Sequence, residues 1–267
     1  MRVTLALALL LAACAPGAQP AKRDVLLATT TSFQDSGLLE ILVDDFTRKT
    51  GYRVKATAVG SGAAIALGTR GEADVVFAHS PKAEEEFMAE GHGARRLLVM
   101  HNDFVILGPP GDPARARGKQ TFDVLRAIAA ARATFISRGD ESGTDVFEKD
   151  LWRKAGVAPA PPWYVEAATG MGQTLLIASE KAAYTIGDRA TYLARKGRVA
   201  LEVVAEKEPP LLNHYHVITV SQKRHPGVNA AGADAFADHL TSAAAQELIA
   251  RFGVERYGEP LFFPDAR

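Results

Sequence analysis

The chain has 267 residues, enough for two moderate domains or one large one, and its 31 Lys and Arg are matched by 31 Asp and Glu. Balanced charge excludes a general field that would draw the protein to nucleic acid or to an acidic membrane, so any charge recognition must be local. Cys14 is the lone cysteine, which excludes an internal disulfide.

The chain opens with Arg2 and an apolar, small-residue run from Val3 to Ala13, too short to span a bilayer and patterned like a secretory signal peptide. Leu11-Ala12-Ala13-Cys14 resembles a bacterial lipobox, which would make Cys14 the lipidated first residue of the mature chain; cleavage after Ala13-Cys14-Ala15 is the rival reading. Residues 1–21 are thus expected to be signal and tether, and the mature protein to work in the periplasm or at the cell surface, anchored through a lipid. No second apolar run is long enough for a transmembrane helix.

From Asp24 onward short apolar runs alternate with amphipathic stretches, the pattern of an α/β fold with crossover helices. Asp24 to Thr29 predicts a strand. Leu38, Leu39, Leu42 and Phe46 recur at helical spacing, with Asp35 or Ser36 as cap and Gly51 as stop. Arg53 to Val59 and Ala73 to Ala78 predict strands around a short helix from Ala63 to Thr69, and Pro81 opens a helix running to Gly91. Asn102 to Leu107 predicts a strand ending in the turn-rich run Gly108 to Pro113, where a crossing to a second lobe is expected.

The alternation then repeats: helices over Phe122 to Arg132, Ser142 to Gly156, Gln173 to Lys181 and Arg189 to Lys196 are interleaved with strands at Ala133 to Ser137, Trp163 to Ala167, Ala182 to Ile186 and Ala200 to Val204. After Pro209-Pro210 a strand from Tyr215 to Val220 and a single helix from Asn229 to Phe252 return the chain to the first lobe. The expected division is lobe I over 22–108 and 212–267 and lobe II over 109–211, a hinge of two crossings with a ligand cleft between the lobes.

Polar loops follow predicted strands and precede predicted helices, the position at which open α/β sheets bind ligands. They are Thr29-Thr30-Thr31-Ser32, Gly60-Ser61-Gly62, Ser137 to Thr144, and Thr169-Gly170-Met171-Gly172. Free N–H groups at helix starts carry partial positive charge, glycine lets backbone approach closely, and hydroxyls add donors without charge, so together such loops suit an anion. Arg138 supplies a full charge and a planar fork of donors, with Asp140 placed to orient it. Each loop alone also reads as a cap or tight turn; their agreement carries the argument.

Enzyme motifs fail. Gly118-Lys119 lacks the spacing and hydroxyl of a Walker loop, Gly170-x-Gly172 lacks its third glycine, and neither Ser61 nor Ser142 sits in Gly-x-Ser-x-Gly. An exported serine hydrolase using Ser61 or Ser142 with a histidine is the remote alternative. His214 and His216 would share a strand face, either as half a metal site or as a wet strand edge, and no cation site or cofactor is expected.

With these loops in hand the chain resembles the tungstate-binding components of bacterial ABC importers, a branch of the type II periplasmic binding proteins. The likeness rests on Ala28 to Ser32, Ala78 to Phe87, Ser137 to Thr144 and Ala178 to Arg189, and covers most of the mature chain. It implies a two-lobed fold that closes on a tungstate or molybdate oxyanion and presents the closed form, as a monomer, to a permease with its ATPase. It also implies ligand contacts from Thr30, Thr31, Ser32, Ser61, Arg138, Ser142, Gly143 and Thr144, to which the loops add Gly62 and Gly170. Gly60-Ser61-Gly62 departs from the Gly-Thr-Gly or Gly-Gln type of turn expected there.

Phosphate is the competing ligand, because phosphate-binding proteins share Arg-x-Asp-x-Ser-Gly-Thr. Phosphate keeps a proton near neutral pH and gains from a carboxylate acceptor, whereas tungstate and molybdate want donors only. Asp140 and Glu141 are the candidate acceptors; pairing of Asp140 with Arg138 would leave the pocket donor-only.

Overall fold

The computed structural model describes residues 23–266, Glu141 excepted. The proposed lipid-bearing Cys14 and the signal segment therefore lie outside the described residues. Among those described, no helix is long and apolar enough to cross a membrane.

The first lobe begins with β1 (Asp24–Thr30), the short α1 (Thr31–Ser36) and α2 (Leu38–Thr50). Next come β2 (Arg53–Val59), α3 (Ser61–Thr69), β3 (Val75–Ala78), α4 (Pro81–Ala89) and the long β4 (Gly93–Gly108). The second lobe holds α5 (Thr121–Ala131), β5 (Phe135–Ser137), α6 (Gly143–Lys154), β6 (Tyr164–Glu166), α7 (Met171–Glu180), β7 (Tyr184–Asp188), α8 (Arg189–Arg195) and β8 (Glu202–Ala205). The chain then returns through β9 (Leu212–Val220), α9 (Ala230–Leu240), α10 (Ala243–Arg251), α11 (Val254–Tyr257) and β10 (Phe263–Pro264).

The strands run in the order β2-β1-β3-β9-β4-β7-β5-β6, with β8 and β10 also paired to β4. Within each lobe the βαβ units pair in parallel, β1 with β2 and β3, and β5 with β6 and β7. The sheet is nevertheless mixed, because β9 pairs antiparallel with β3 and β4, and β4 antiparallel with β7. Apolar cores cover both faces of each lobe's sheet. In lobe I, Leu38, Leu42, Phe46, Phe236 and Ile249 fill one face and Ala64, Ile65 and Phe87 the other; in lobe II, Val124, Ile128, Leu151 and Trp152 lie opposite Leu175, Ala178 and Tyr192. Burial on both faces explains the unbroken apolar runs of the central strands.

The structure revises the sequence reading at three places. β4 extends back to Gly93, and its residues Phe104 to Leu107 already pair with β7, so the chain passes between the sheets ahead of the expected 108/109 division. The expected helix from Asn229 to Phe252 is two helices, broken where Ser242 caps α10 by accepting from the Ala245 amide. His214 and His216 do not lie on a wet edge: β9 is central, between β3 and β4.

The two crossings stand side by side as an antiparallel ladder in which Asn102 faces Asn213 and Asp103 faces Leu212. Asn213 Nδ2 donates to Asn102 Oδ1 at 2.8 Å, a buried bond at the floor between the lobes. Beside it Arg189 holds Asp103 through two hydrogen bonds, Nε to Oδ1 and Nη2 to Oδ2, of 2.7 and 2.5 Å.

Candidate functional site

Five strands of the two lobes direct their C-terminal ends at one cleft, so the turns that follow β1, β3, β5, β6 and β7 face each other. The cleft holds a cavity of about 550 Å³ whose walls include Thr31, Ser32 and His79 from lobe I, Arg138, Thr144 and Gly170 from lobe II, and Asn102, Asn213 and Tyr215 from the floor. That is room for a small polyatomic anion with its first waters.

Of the residues expected at the site, Thr31, Ser32, Arg138, Thr144 and Gly170 line this cavity. Thr30 is buried beneath it, where its hydroxyl accepts from the Phe33 amide and caps α1. Ser142 likewise caps α6, accepting from the Asp145 amide, and Gly143 follows it at the mouth of the cleft. Ser61 and Gly62 open α3 directly after the edge strand β2, whose Val59 pairs with Thr30, and they are not among the residues that line this cavity.

Arg138 is the cationic centre. Its side chain is 18 % exposed, Nη2 pairs with Asp140, and Nε is buried with no hydrogen-bond partner among the described residues. The loop that presents it is fixed from below. Asp145 Oδ1 accepts from the Gly139 amide at 2.9 Å and from Ser137 Oγ, which also donates to Glu148. Gly139 has φ +60°, and a Cβ there would stand 2.6 Å from Glu166 Cβ, so only glycine lets the loop turn this close to β6.

Two carboxylates near the cleft are committed to other partners. Burial pushes the Asp140 carboxyl up, but hydrogen bonds from Ser142 and Arg138 outweigh it and hold the group below its ordinary value. Asp188 caps α8, accepting from Thr191 N and Oγ1 at 2.7 Å each. Asp35, exposed on α1, also lines the cavity. Donors dominate: Gly170 precedes α7 with no side-chain cap among the described residues, and the start of that helix, Gly170 to Gly172, borders the cavity with its positive end.

Several lining residues escaped the sequence reading. His79 follows β3, where a helix start was expected but no ligand was assigned; its Nε2 lies 3.5 Å from Ser32 Oγ and its ring 4.7 Å from that of Tyr215. Burial lowers the His79 pKa against the pull of Glu84, which favours neutral imidazole. Arg195 reaches the start of α7 from the end of α8, with Nη2 2.7 Å from where a Cβ on Gly172 would stand. Gly172 thus reads as the space for a second guanidinium. The floor pair Asn102 and Asn213 carried no local signal at all.

A sequence profile of the PBP superfamily domain matches residues 15–244. The chain is 45 % identical to the tungstate-binding protein TupA of Peptoclostridium acidaminophilum, over 97 % of this chain and 95 % of that protein. Among solved structures it resembles the tungstate-binding protein TupA of Desulfovibrio alaskensis G20, with TM-score 0.85 and 39 % identity, covering 91 % of this chain and 99 % of that one. It also resembles a structure described as the tungstate ABC transporter from Geobacter sulfurreducens, with TM-score 0.75 and 43 % identity, covering 87 % and 100 % of the two chains. A two-lobed mixed α/β fold with its donors gathered between the lobes, and likeness along nearly the whole chain, place this protein in the TupA family of the PBP superfamily.

Proposed function

We propose that this chain is the extracytoplasmic binding protein of an ABC importer, capturing tungstate, with molybdate as the close chemical competitor, and delivering it to a permease with its ATPase. The observation that carries the reading is Arg138, a largely buried guanidinium whose Nε faces no protein acceptor among the described residues, set among hydroxyl and amide donors from both lobes. A buried donor left unmatched is costly, and a fully deprotonated tetrahedral dianion supplies the missing acceptors. The same anion bridges Thr31 and Ser32 of one lobe to Arg138 and Thr144 of the other, so its binding favours the closed arrangement.

The reading extends to a monomer held to the membrane by a lipid on Cys14, in the periplasm or at the cell surface, with no cofactor and no catalytic turnover. The relatives' role as transporter binding proteins supports it. So does the commitment of the Ser142 hydroxyl to helix capping, and of Asp140 to Arg138.

Calorimetric titration of the signal-free protein with tungstate, molybdate, sulfate and phosphate tests the proposal. Preferential heat with tungstate, and with molybdate close behind, is expected. Tighter binding of phosphate would show that a carboxylate acceptor operates in the cleft and would overturn the donor-only assignment.

A further inference from the structure

On the reverse of the hinge from the anion cleft, three side chains from distant parts of the sequence converge. His101 of β4 and His214 of β9 are directly opposite in register, with ring centroids 5.7 Å apart. Asp265 follows β10, whose Phe263 pairs with His101, and its own amide donates to Val99 O at 3.0 Å, which fixes the third side chain beside the other two. His101 Nδ1 lies 2.7 Å from Asp265 Oδ2, and one N or O atom from each of the three falls within 4.8 Å of the others. His101 and Asp265 are 20 % and 21 % exposed, shielded but open to an entering ion.

We propose that His101, His214 and Asp265 form a binding site for a divalent transition-metal ion of the Zn²⁺ class. Two imidazoles and one carboxylate match that ion's preference for nitrogen and oxygen donors, and three protein ligands leave a position for water. Mg²⁺ and Ca²⁺ prefer all-oxygen shells and are disfavoured here. Tetrahedral coordination at about 2.0–2.2 Å sets donors a little over 3 Å apart. Side-chain rotation has therefore to widen the His101–Asp265 contact slightly and draw His214 in. A His101–Asp265 hydrogen bond alone would dock the C-terminal strand; His214 adds a third donor atom at the same point.

The site's place in the fold gives it a consequence. Neighbouring strand residues point to opposite faces. Asn102 and Asn213, each adjacent to one of the histidines, border the anion cavity, while His101 and His214 point away from it. A bound ion would clip β4, β9 and the C-terminal strand together behind the hinge without entering the cleft.

The test uses tag-free, metal-depleted mature protein titrated with Zn²⁺ by calorimetry and with Co²⁺ by visible absorption, alongside His214→Ala and Asp265→Ala, with circular dichroism and thermal melting checking that each variant is folded. One equivalent of metal per chain is expected, with intense Co²⁺ bands of low coordination number and a raised melting midpoint, all lost in both variants. The tungstate titration of His214→Ala should match wild type, so failure of the metal site and failure of the anion site are read separately. No uptake by the wild-type protein overturns the proposal. So does uptake unchanged in both variants, the outcome if the hydrogen-bonded pair His92 and His225 holds the ion instead.

Discussion

Cε1 of His79, at the end of β3 in lobe I, lies 3.5 Å from where a Cβ on Gly143 would stand at the start of α6 in lobe II. The lobes therefore meet across the cleft at a glycine, and the space there admits one methyl group and little more. Gly143→Ala is expected to bind tungstate like wild type, because its Cβ meets the imidazole at ordinary contact distance. Gly143→Leu should wedge the lobes apart and weaken binding by about tenfold or more, corresponding to about 1.4 kcal/mol. Calorimetry on the two variants checks this, and equal affinity for both would show that the contact plays no part in closure.

Arg138 sets the strength of the site. Charge-assisted hydrogen bonds contribute roughly 1.5–3 kcal/mol each, so Arg138→Ala is expected to lower tungstate affinity by well over tenfold. Arg138→Lys should recover part of that loss, since it keeps the charge but not the planar fork. Asp140→Asn should weaken binding less than Arg138→Ala, because it frees the guanidinium without removing it. Titration of the three variants with tungstate orders them; Arg138→Ala binding as tightly as wild type would reject the assigned role.

The residues legible in the sequence are those whose role follows from local order. Thr31, Ser32, Arg138, Thr144 and Gly170 each lie just before a helix that follows a strand or in its first turn, and that topological position is visible in hydrophobic pattern alone. Ser61 shares the position but follows the edge strand β2 and does not line the cavity, and strand order is not written locally. The front half of β4 was hidden because Arg95 and Arg96 interrupt its apolar run. Their partners, Asp234 and Asp238 for one and Glu84 for the other, lie on other elements. Asn102, Asn213, Arg195 and Tyr215 meet the cavity only through tertiary pairing, which leaves no spacing to read.

Glu148 makes the second lobe pH-sensitive. It is 2 % exposed, accepts from Trp152 Nε1 and Tyr164 OH at 2.9 and 2.8 Å, and burial, reinforced by the charge of Asp145, raises its pKa to about 7. The unfolded chain loses this proton near the ordinary value of 4.5, while the folded chain keeps it to about 7. The resulting stability is whole below 4.5, is lost as pH rises through 7, and is on the order of 3 kcal/mol. Glu148→Gln carries no such proton. Chemical denaturation at pH 5 and pH 8 should therefore show the wild type losing stability relative to the variant as pH rises. A constant difference between the two proteins would place the titration of Glu148 elsewhere.

Arg189 and Asp103 are the buried ion pair of the hinge, with side chains 4 % and 2 % exposed. Burial works against the cation, but the hydrogen bonds of Asp103 and Glu206 outweigh it and keep the guanidinium charged. Glu206 and Glu259, both 36 % exposed, retain water if the arginine is lost; Asp103 does not. Arg189→Leu should thus strand a buried carboxylate beside the crossing strands and cost about 3–5 kcal/mol, whereas the double variant with Asp103→Leu should recover much of that loss. Denaturant titration of the two single variants and the double variant completes the cycle. A double variant no more stable than Arg189→Leu would mean that the guanidinium is needed for its packing at the hinge and for its reach to Glu259, rather than for neutralising Asp103.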